Sequence, residues 1–245
     1  MKGFVLLVII VVAVAVSFPG CVAVNFSPFA GTVTGTGERE KYEIKVGDYT
    51  ELEVDLYCDV EYYSAPSGSV WIEIQPNLRE HIKIEEKNGV LTINATKNIN
   101  ITGKAPVVTV SNPNLCKLTL AGAGELTTHD KISADSFTLK ISGAGNGEIE
   151  LDAREFNVNM SGAGDYRLKG TADKAGFVMS GAGMFDALAL QAKDADVKMS
   201  GAGIVKVYCT GNLKVDASGV GAVEYKGSPA ANINKSGLVT VKSVS

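Results

Sequence analysis

The first residues that could do chemistry are six glycine-rich phrases. They read Ala121-Gly122-Ala123-Gly124, Ser142 to Gly145, Ser161 to Gly164, Ser180 to Gly183, Ser200 to Gly203 and Ser218-Gly219-Val220-Gly221. A Gly-rich loop cradles phosphate when it opens a helix. No phrase here is followed by Lys-Ser or Lys-Thr, and the spacing matches no nucleotide fingerprint. Calcium-binding rolls use nonapeptides of Gly and Asp, but here the period is longer and the acidic content of the turns inconsistent. His81 and His129 are far apart, without metal-ligand spacing, and read as solvated turn residues. The chain has no Gly-x-Ser-x-Gly elbow, no His-Glu-x-x-His and no paired-cysteine zinc pattern. A carbohydrate-cleaving site needs clustered Asp, Lys or Arg on one sheet, walled by long loops. Asp194 and Asp196 share one strand face, Asp152 is alone in its turn, and the loops are short. No catalytic, cofactor-binding or metal-binding residue is therefore assigned. The ligand-binding candidates are Tyr62, Tyr63 and Trp71, aromatic side chains able to stack on a sugar.

The elements that carry these residues follow from the recurrence of the phrase. Its starts lie 21, 19, 19, 20 and 18 residues apart. The position before each phrase holds Leu120, Ile141, Met160, Met179, Met199 and Ala217. Two residues earlier come Leu118, Leu139, Val158, Phe177, Val197 and Val215, and two earlier again Cys116, Phe137, Phe156, Ala175, Ala195 and Leu213. Polar residues fill most positions between. After the phrases, Tyr166, Phe185, Val205 and Val223 alternate with charges such as Arg167, Asp186, Lys206 and Glu224. Apolar residues at a period of two identify half-buried strands.

With no crossover helix, a unit of this length buries its apolar side only by stacking on its own copies. The predicted fold is all-β, a parallel β-helix or solenoid with coils of about 19 residues, right-handed by the chirality of strand connections. Glycine suits corners that need positive φ or close backbone approach. Ser142, Ser161, Ser180, Ser200 and Ser218 should stack as a ladder able to satisfy corner backbone groups.

Between Tyr42 and Leu120 the strands are less regular, and Asn88-Gly89 before Val90-Leu91-Thr92-Ile93 signals a hairpin. Irregular coils with hairpin excursions should close the N-terminal end. Lys235, standing where Met or Ile would be buried, marks a polar cap at the other end. The expected organisation is a signal peptide over 1–20, a tether over 21–37, irregular coils and a cap over 38–120, and regular repeats with a C-terminal cap over 121–240.

Lys2, the apolar run Phe4 to Val16 and Ser17-Phe18-Pro19-Gly20-Cys21 follow signal-peptide grammar. Gly20-Cys21 resembles a bacterial lipoprotein cleavage box, which makes Cys21 the lipidated residue; an uncleaved anchor and simple secretion are the alternatives. All three place the body outside the cytoplasm. Three further cysteines, Cys58, Cys116 and Cys209, cannot form a complete disulfide framework. Cys116 reads as a small core residue and Cys209 as a turn residue; a disulfide involving Cys58 stays open. A net charge of −4 gives no basic surface for nucleic acid.

The opening strands with Glu51-Leu52-Glu53-Val54, the segment Asn88 to Ile93, the Ser-Gly-x-Gly coils and Val223-Glu224-Tyr225-Lys226-Gly227-Ser228-Pro229 together resemble the autotransporter-adhesin "head GIN" domain family over residues 38 to 240. That resemblance implies a secreted or lipid-anchored envelope protein with a β-helix-like body. The expected function is non-enzymatic: an adhesin-like or scaffold solenoid binding a glycan or protein, membrane-attached through its N-terminus, with homo-oligomerisation open. The alternative is a carbohydrate-active β-helix enzyme.

Overall fold

The computed structural model describes residues 31–96 and 99–244. The N-terminal half contains β1 (Gly31–Thr34), β2 (Glu40–Lys45), β3 (Glu51–Asp55), β4 (Asp59–Tyr63) and β5 (Ser69–Ile74). A 3-10 turn at Pro76–His81 leads to β6 (Ile82–Lys87), β7 (Val90–Ala95), β8 (Ile99–Thr102) and β9 (Val107–Ser111). The regular half contains β10 (Lys117–Leu120), β11 (Ala123–Thr128), β12 (Ile132–Ile141), β13 (Ala144–Met160), β14 (Ala163–Met179) and β15 (Ala182–Met199). It ends with β16 (Ala202–Cys209), β17 (Asn212–Ala217), β18 (Val220–Lys226), β19 (Ala230–Lys235) and β20 (Leu238–Ser243).

The repeat builds a β-solenoid of about seven turns, with parallel bridges about 19 residues apart. A regular coil has two long sides that meet at the phrase. A short third side runs through pairs such as Ile132 with Leu151 and Leu151 with Gly170. The apolar columns stack in register as their spacing predicts: Leu139, Val158, Phe177, Val197 and Val215 are successive partners, all buried. Burying each large member contributes about 1.5–3 kcal/mol. Phe137, Phe156, Phe177, Phe185 and Tyr166 form a chain of rings with neighbouring centroids 6.1–6.4 Å apart.

The corner explains both glycines of the phrase. A Cβ at Gly162 would sit 1.8 Å from Gly143 O, and one at Gly164, where φ is +150°, would sit 1.6 Å from Gly145 O. The serines, by contrast, point into solvent. Backbone groups satisfy the corner instead: Ser161 N and Gly162 N donate to Ile141 O (2.9 and 3.2 Å), and Ala163 N donates to Gly143 O (3.0 Å). Backbones close enough to exclude a Cβ are also close enough to bond directly. A seventh corner, Ser236-Gly237-Leu238-Val239, stacks on the sixth with Val239 in place of the second glycine.

One column departs from its expected frame. Cys116 is exposed, its thiol directed at Thr50 O, and Leu115 is buried instead. β10 begins only at Lys117, so alternation does not extend back to Cys116. Cys209 is the buried last residue of β16, not part of a turn, and among the described residues Cys58, Cys116 and Cys209 are all free thiols.

Coils in the N-terminal half do not stack in chain order. β3 pairs in parallel with β7 on one side and β10 on the other, while β4 pairs with β9 and β11. The coil carrying Glu51 to Tyr63 is thus clamped between two later segments. The β6–β7 hairpin turns at Asn88 and Gly89 with φ of 55° and 77°, the left-handed pair of a type I′ turn. β6 and the antiparallel β2–β5 pair cover this end. At the other end Lys235 stacks over Ala217 in the terminal coil.

Candidate functional site

The first long side carries β12 to β15, β17 and β19, and its outward residues line a groove of about 530 Å³. Register assembles it from separate coils. Asn157, Gly176, Asp196, Lys214 and Asn232 form one row, and Glu155, Lys174, Asp194 and Asn212 form the row beside it. Gly176 supplies the depression, because it has no side chain where its neighbours carry polar ones. The Asn157 carboxamide leans over it, with Oδ1 2.4 Å from where a Cβ would stand.

Most charges around the groove are already engaged. Lys174 lies 3.7 Å from Glu155, and Lys214 lies 3.0 Å from Asp216. Asp194 Oδ1 accepts from Asn212 Nδ2 (2.7 Å) and Asn212 N (2.9 Å), which hold its carboxyl below the ordinary carboxylate range, with Lys193 and Lys174 adding to the effect. The exception is Asp196, whose Oδ1 is buried without a hydrogen-bond partner among the described residues. A buried acceptor left unpaired costs about 1–3 kcal/mol until a donor reaches it. The arrangement suits a ligand rich in hydroxyl donors. Asp194, kept ionised by Asn212, is poorly suited to be the general acid that glycoside hydrolysis requires.

The second long side presents a different surface. Glu148, Arg167, Asp186, Lys206, Glu224 and Lys242 follow one another across β13 to β16, β18 and β20, alternating in sign. Three contacts, of 3.1, 3.7 and 2.9 Å, close this row on itself. Such surface pairs contribute little each, about 0.2–1 kcal/mol.

The sequence-predicted aromatic residues are divided by the fold. Tyr62 is buried, and its hydroxyl donates to Asn112 O at 2.6 Å. Tyr63 and Trp71 face outward; Tyr63 stacks on His129 with centroids 4.6 Å apart, and Lys41 Nζ lies 5.3 Å from the Trp71 ring centre. His129 is exposed on a bend, and half-buried His81 ends the 3-10 turn. Asp152 sits in β13 rather than a turn and accepts from Lys131 Nζ and Thr171 Oγ1, both at 2.7 Å. Among the described residues no His, Cys, Asp and Glu side chains gather as a metal site. Cys21 lies outside the described residues. Gly176 and Asn157 were missed as site residues; the available signal was a glycine at a strand position where the other repeats carry Thr138, Asn157, Asp196 and Lys214.

Residues 48–229 match the family described as "Putative auto-transporter adhesin, head GIN domain". A putative adhesin from Bacteroides fragilis NCTC 9343 superimposes with a TM-score of 0.83 at 23% identity, covering 86% of this chain and 100% of that one. A putative adhesin from Parabacteroides distasonis ATCC 8503 gives 0.64 at 24% identity, and a putative lipid binding protein from the same organism 0.63 at 21%; both comparisons cover 87% of this chain and 100% of the other. None of the curated proteins matches.

Proposed function

Because this chain belongs to the putative auto-transporter adhesin, head GIN domain family, we propose that it is an exported, non-enzymatic envelope protein that holds a hydroxyl-rich glycan in the groove around Gly176. The observation that carries the reading is the row of polar side chains, Asn157, Asp196, Lys214 and Asn232, that borders the depression at Gly176. Sugar hydroxyls would donate to the Asp196 carboxylate, while Lys214 and the Asn157 and Asn232 carboxamides would complete the polar contacts. Tyr63 and Trp71 offer a secondary stacking surface. Cys21 would carry the lipid that ties the body to the membrane. Among the described residues no helix is long and apolar enough to cross a membrane.

A glycan panel scored for both retention and cleavage tests the reading. Retention without cleavage is expected, weakened at least tenfold by Asp196→Ala and little affected by Glu224→Ala on the opposite side. Cleavage abolished by Asp196→Ala would establish the enzyme instead. No retention of any glycan would remove the glycan and leave a protein partner. Cys21→Ala should abolish incorporation of labelled fatty acid.

A further inference from the structure

The two ends of the solenoid are finished differently. At the N-terminal end β2 and β6 lie outermost, and each alternates charges along its exposed positions: Lys41, Glu43 and Lys45 on β2, Lys83, Glu85 and Lys87 on β6. Alternating Lys and Glu on an edge strand discourages strand addition. At the C-terminal end β19 pairs with β17 and β20 with β18, and among the described residues nothing pairs with the far edge of either. All six residues of β19 are exposed. Ile233, which continues the buried Val197–Val215 column, is 40% exposed, and Leu238 at the start of β20 is 78% exposed. No acidic residue occurs after Glu224.

We infer that two copies of this chain join end to end through β19 and β20. An occupant must supply two strands at once, at the separation of the two long sides; an isolated peptide strand would pair only one edge and leave the column between uncovered. The same end of a second copy has the required cross-section, and its edges lack the alternating charge of the N-terminal cap. Each coil is a wedge, with two long sides meeting at the phrase and a short side opposite. A two-fold axis running from the Ser236-Gly237 corner to the short side superimposes that outline on itself and exchanges the long sides. β19 then lies antiparallel to β20 of the second copy, in an isologous contact that closes rather than growing into a fibre. Keeping inward positions inward sets Ile233 against the second copy's Val241 and Ala231 against its Ser243. Lys235 occupies the last position of β19, beside the corner, with Nζ 3.5 Å from Val239 O of its own chain.

Sedimentation equilibrium of the full chain, bearing Cys21→Ser and Cys116→Ser to remove competing thiols, tests the joint. The expected result is twice the single-chain mass, falling to one chain in Ile233→Lys with an unchanged circular dichroism spectrum. Mixing Ile233→Cys with Val241→Cys protein should give an interchain disulfide on mild oxidation, and neither variant alone should do so. A single-chain mass for the parent protein at its solubility limit would overturn the inference, as would a dimer that survives Ile233→Lys in folded form. Cross-linking of Ile233→Cys to itself would overturn the exchange of long sides.

Discussion

In the regular half, each strand finds its partners one period away along the chain: Phe177 pairs with Val158 behind it and Val197 ahead. In the N-terminal half, Glu51 pairs with Val90 on one side and Lys117 on the other. The two halves share one apolar core and the same parallel stacking, but they close loops of very different length. Closure entropy rises with the logarithm of loop length, so the regular coils can add one after another while the clamped coil waits for two later segments. Stability in one half is a sum over neighbours; in the other it is a mutual dependence. That contrast can be broken experimentally.

The largest effect should come from removing whole coils. Deleting residues 161–179 joins Met160 to Ser180, each already in the position the other's neighbour occupied, and should leave a shorter folded solenoid. Deleting residues 51–63 removes the shared partner of β7 and β10 and should abolish folding of the N-terminal half. Circular dichroism and limited proteolysis would show the difference. A ten-residue deletion at 161–170 should be as damaging as the second, because it destroys register. Equal damage from all three would mean that the halves are equally cooperative.

The corner glycines come next. Gly162→Ala places a methyl against Gly143 O, a backbone atom with no room to move, and should cost about 3–5 kcal/mol. Gly176→Ala and Gly47→Ala meet the ends of the Asn157 and Glu86 side chains instead, and should change stability by less than about 1 kcal/mol. Urea denaturation of the three variants would separate a corner glycine, which the stack enforces, from one that leaves space on a surface.

These two tests also mark what sequence could and could not reveal. The apolar columns were legible because a period-two pattern repeated in phase returns the same side chains to the same height, so Met160, Met179 and Met199 announce their own contacts. Cys116 broke the frame because strand pairing starts one residue later, and hydropathy does not show where a ladder begins. The clamping of β3 between β7 and β10 was hidden for a related reason: without repetition, nothing in Leu52 says that Leu91 and Leu118 lie beside it. Of the candidate site, the two rows containing Asp194 and Asp196 were visible as polar outward positions. Its depression depended on Gly176, whose single missing side chain is invisible until neighbouring coils surround it. Tyr62 and Tyr63 looked equivalent, but adjacent residues of a strand face opposite ways, and only the buried column decides which.

In the N-terminal half the lock is polar. Asn112 is buried, donates from Nδ2 to Tyr49 O at 2.6 Å and accepts at Oδ1 from Asn114 N at 2.7 Å, while its carbonyl receives the Tyr62 hydroxyl. Asn112→Ala leaves Tyr49 O and Asn114 N without these partners and should cost about 2–3 kcal/mol. Tyr62→Phe loses one hydrogen bond and should cost about 1 kcal/mol. Both should lower the transition of the N-terminal half more than that of the regular half, as hydrogen exchange read residue by residue would show. Equal loss throughout would make the whole solenoid one cooperative unit.

The smallest effect at neutral pH separates the halves most finely, through their buried thiols. Burial pushes the Cys58 thiol up to about 12, with the nearby Asp59 charge adding to it, and burial also raises Cys209. A thiol whose folded pKa is raised contributes stability that is fully present below the unfolded value, 9.0 for Cys58, and fades as pH climbs toward the folded one. The contribution of Cys58 should therefore be unchanged between pH 6 and 8, then fall by about 1.4 kcal/mol per pH unit above the unfolded value. Alkylation at pH 8 should proceed in order of access: exposed Cys116 at once, the buried pair only through opening of the fold. Cys58 belongs to the clamped coil and Cys209 to the stacked repeats. If the clamped half opens as its own unit, Cys58 will be labelled before Cys209 under native conditions. Simultaneous labelling would show that the long-range clamp is as durable as the repeats, and that the cost of closing its loops is fully offset once the coil is in place.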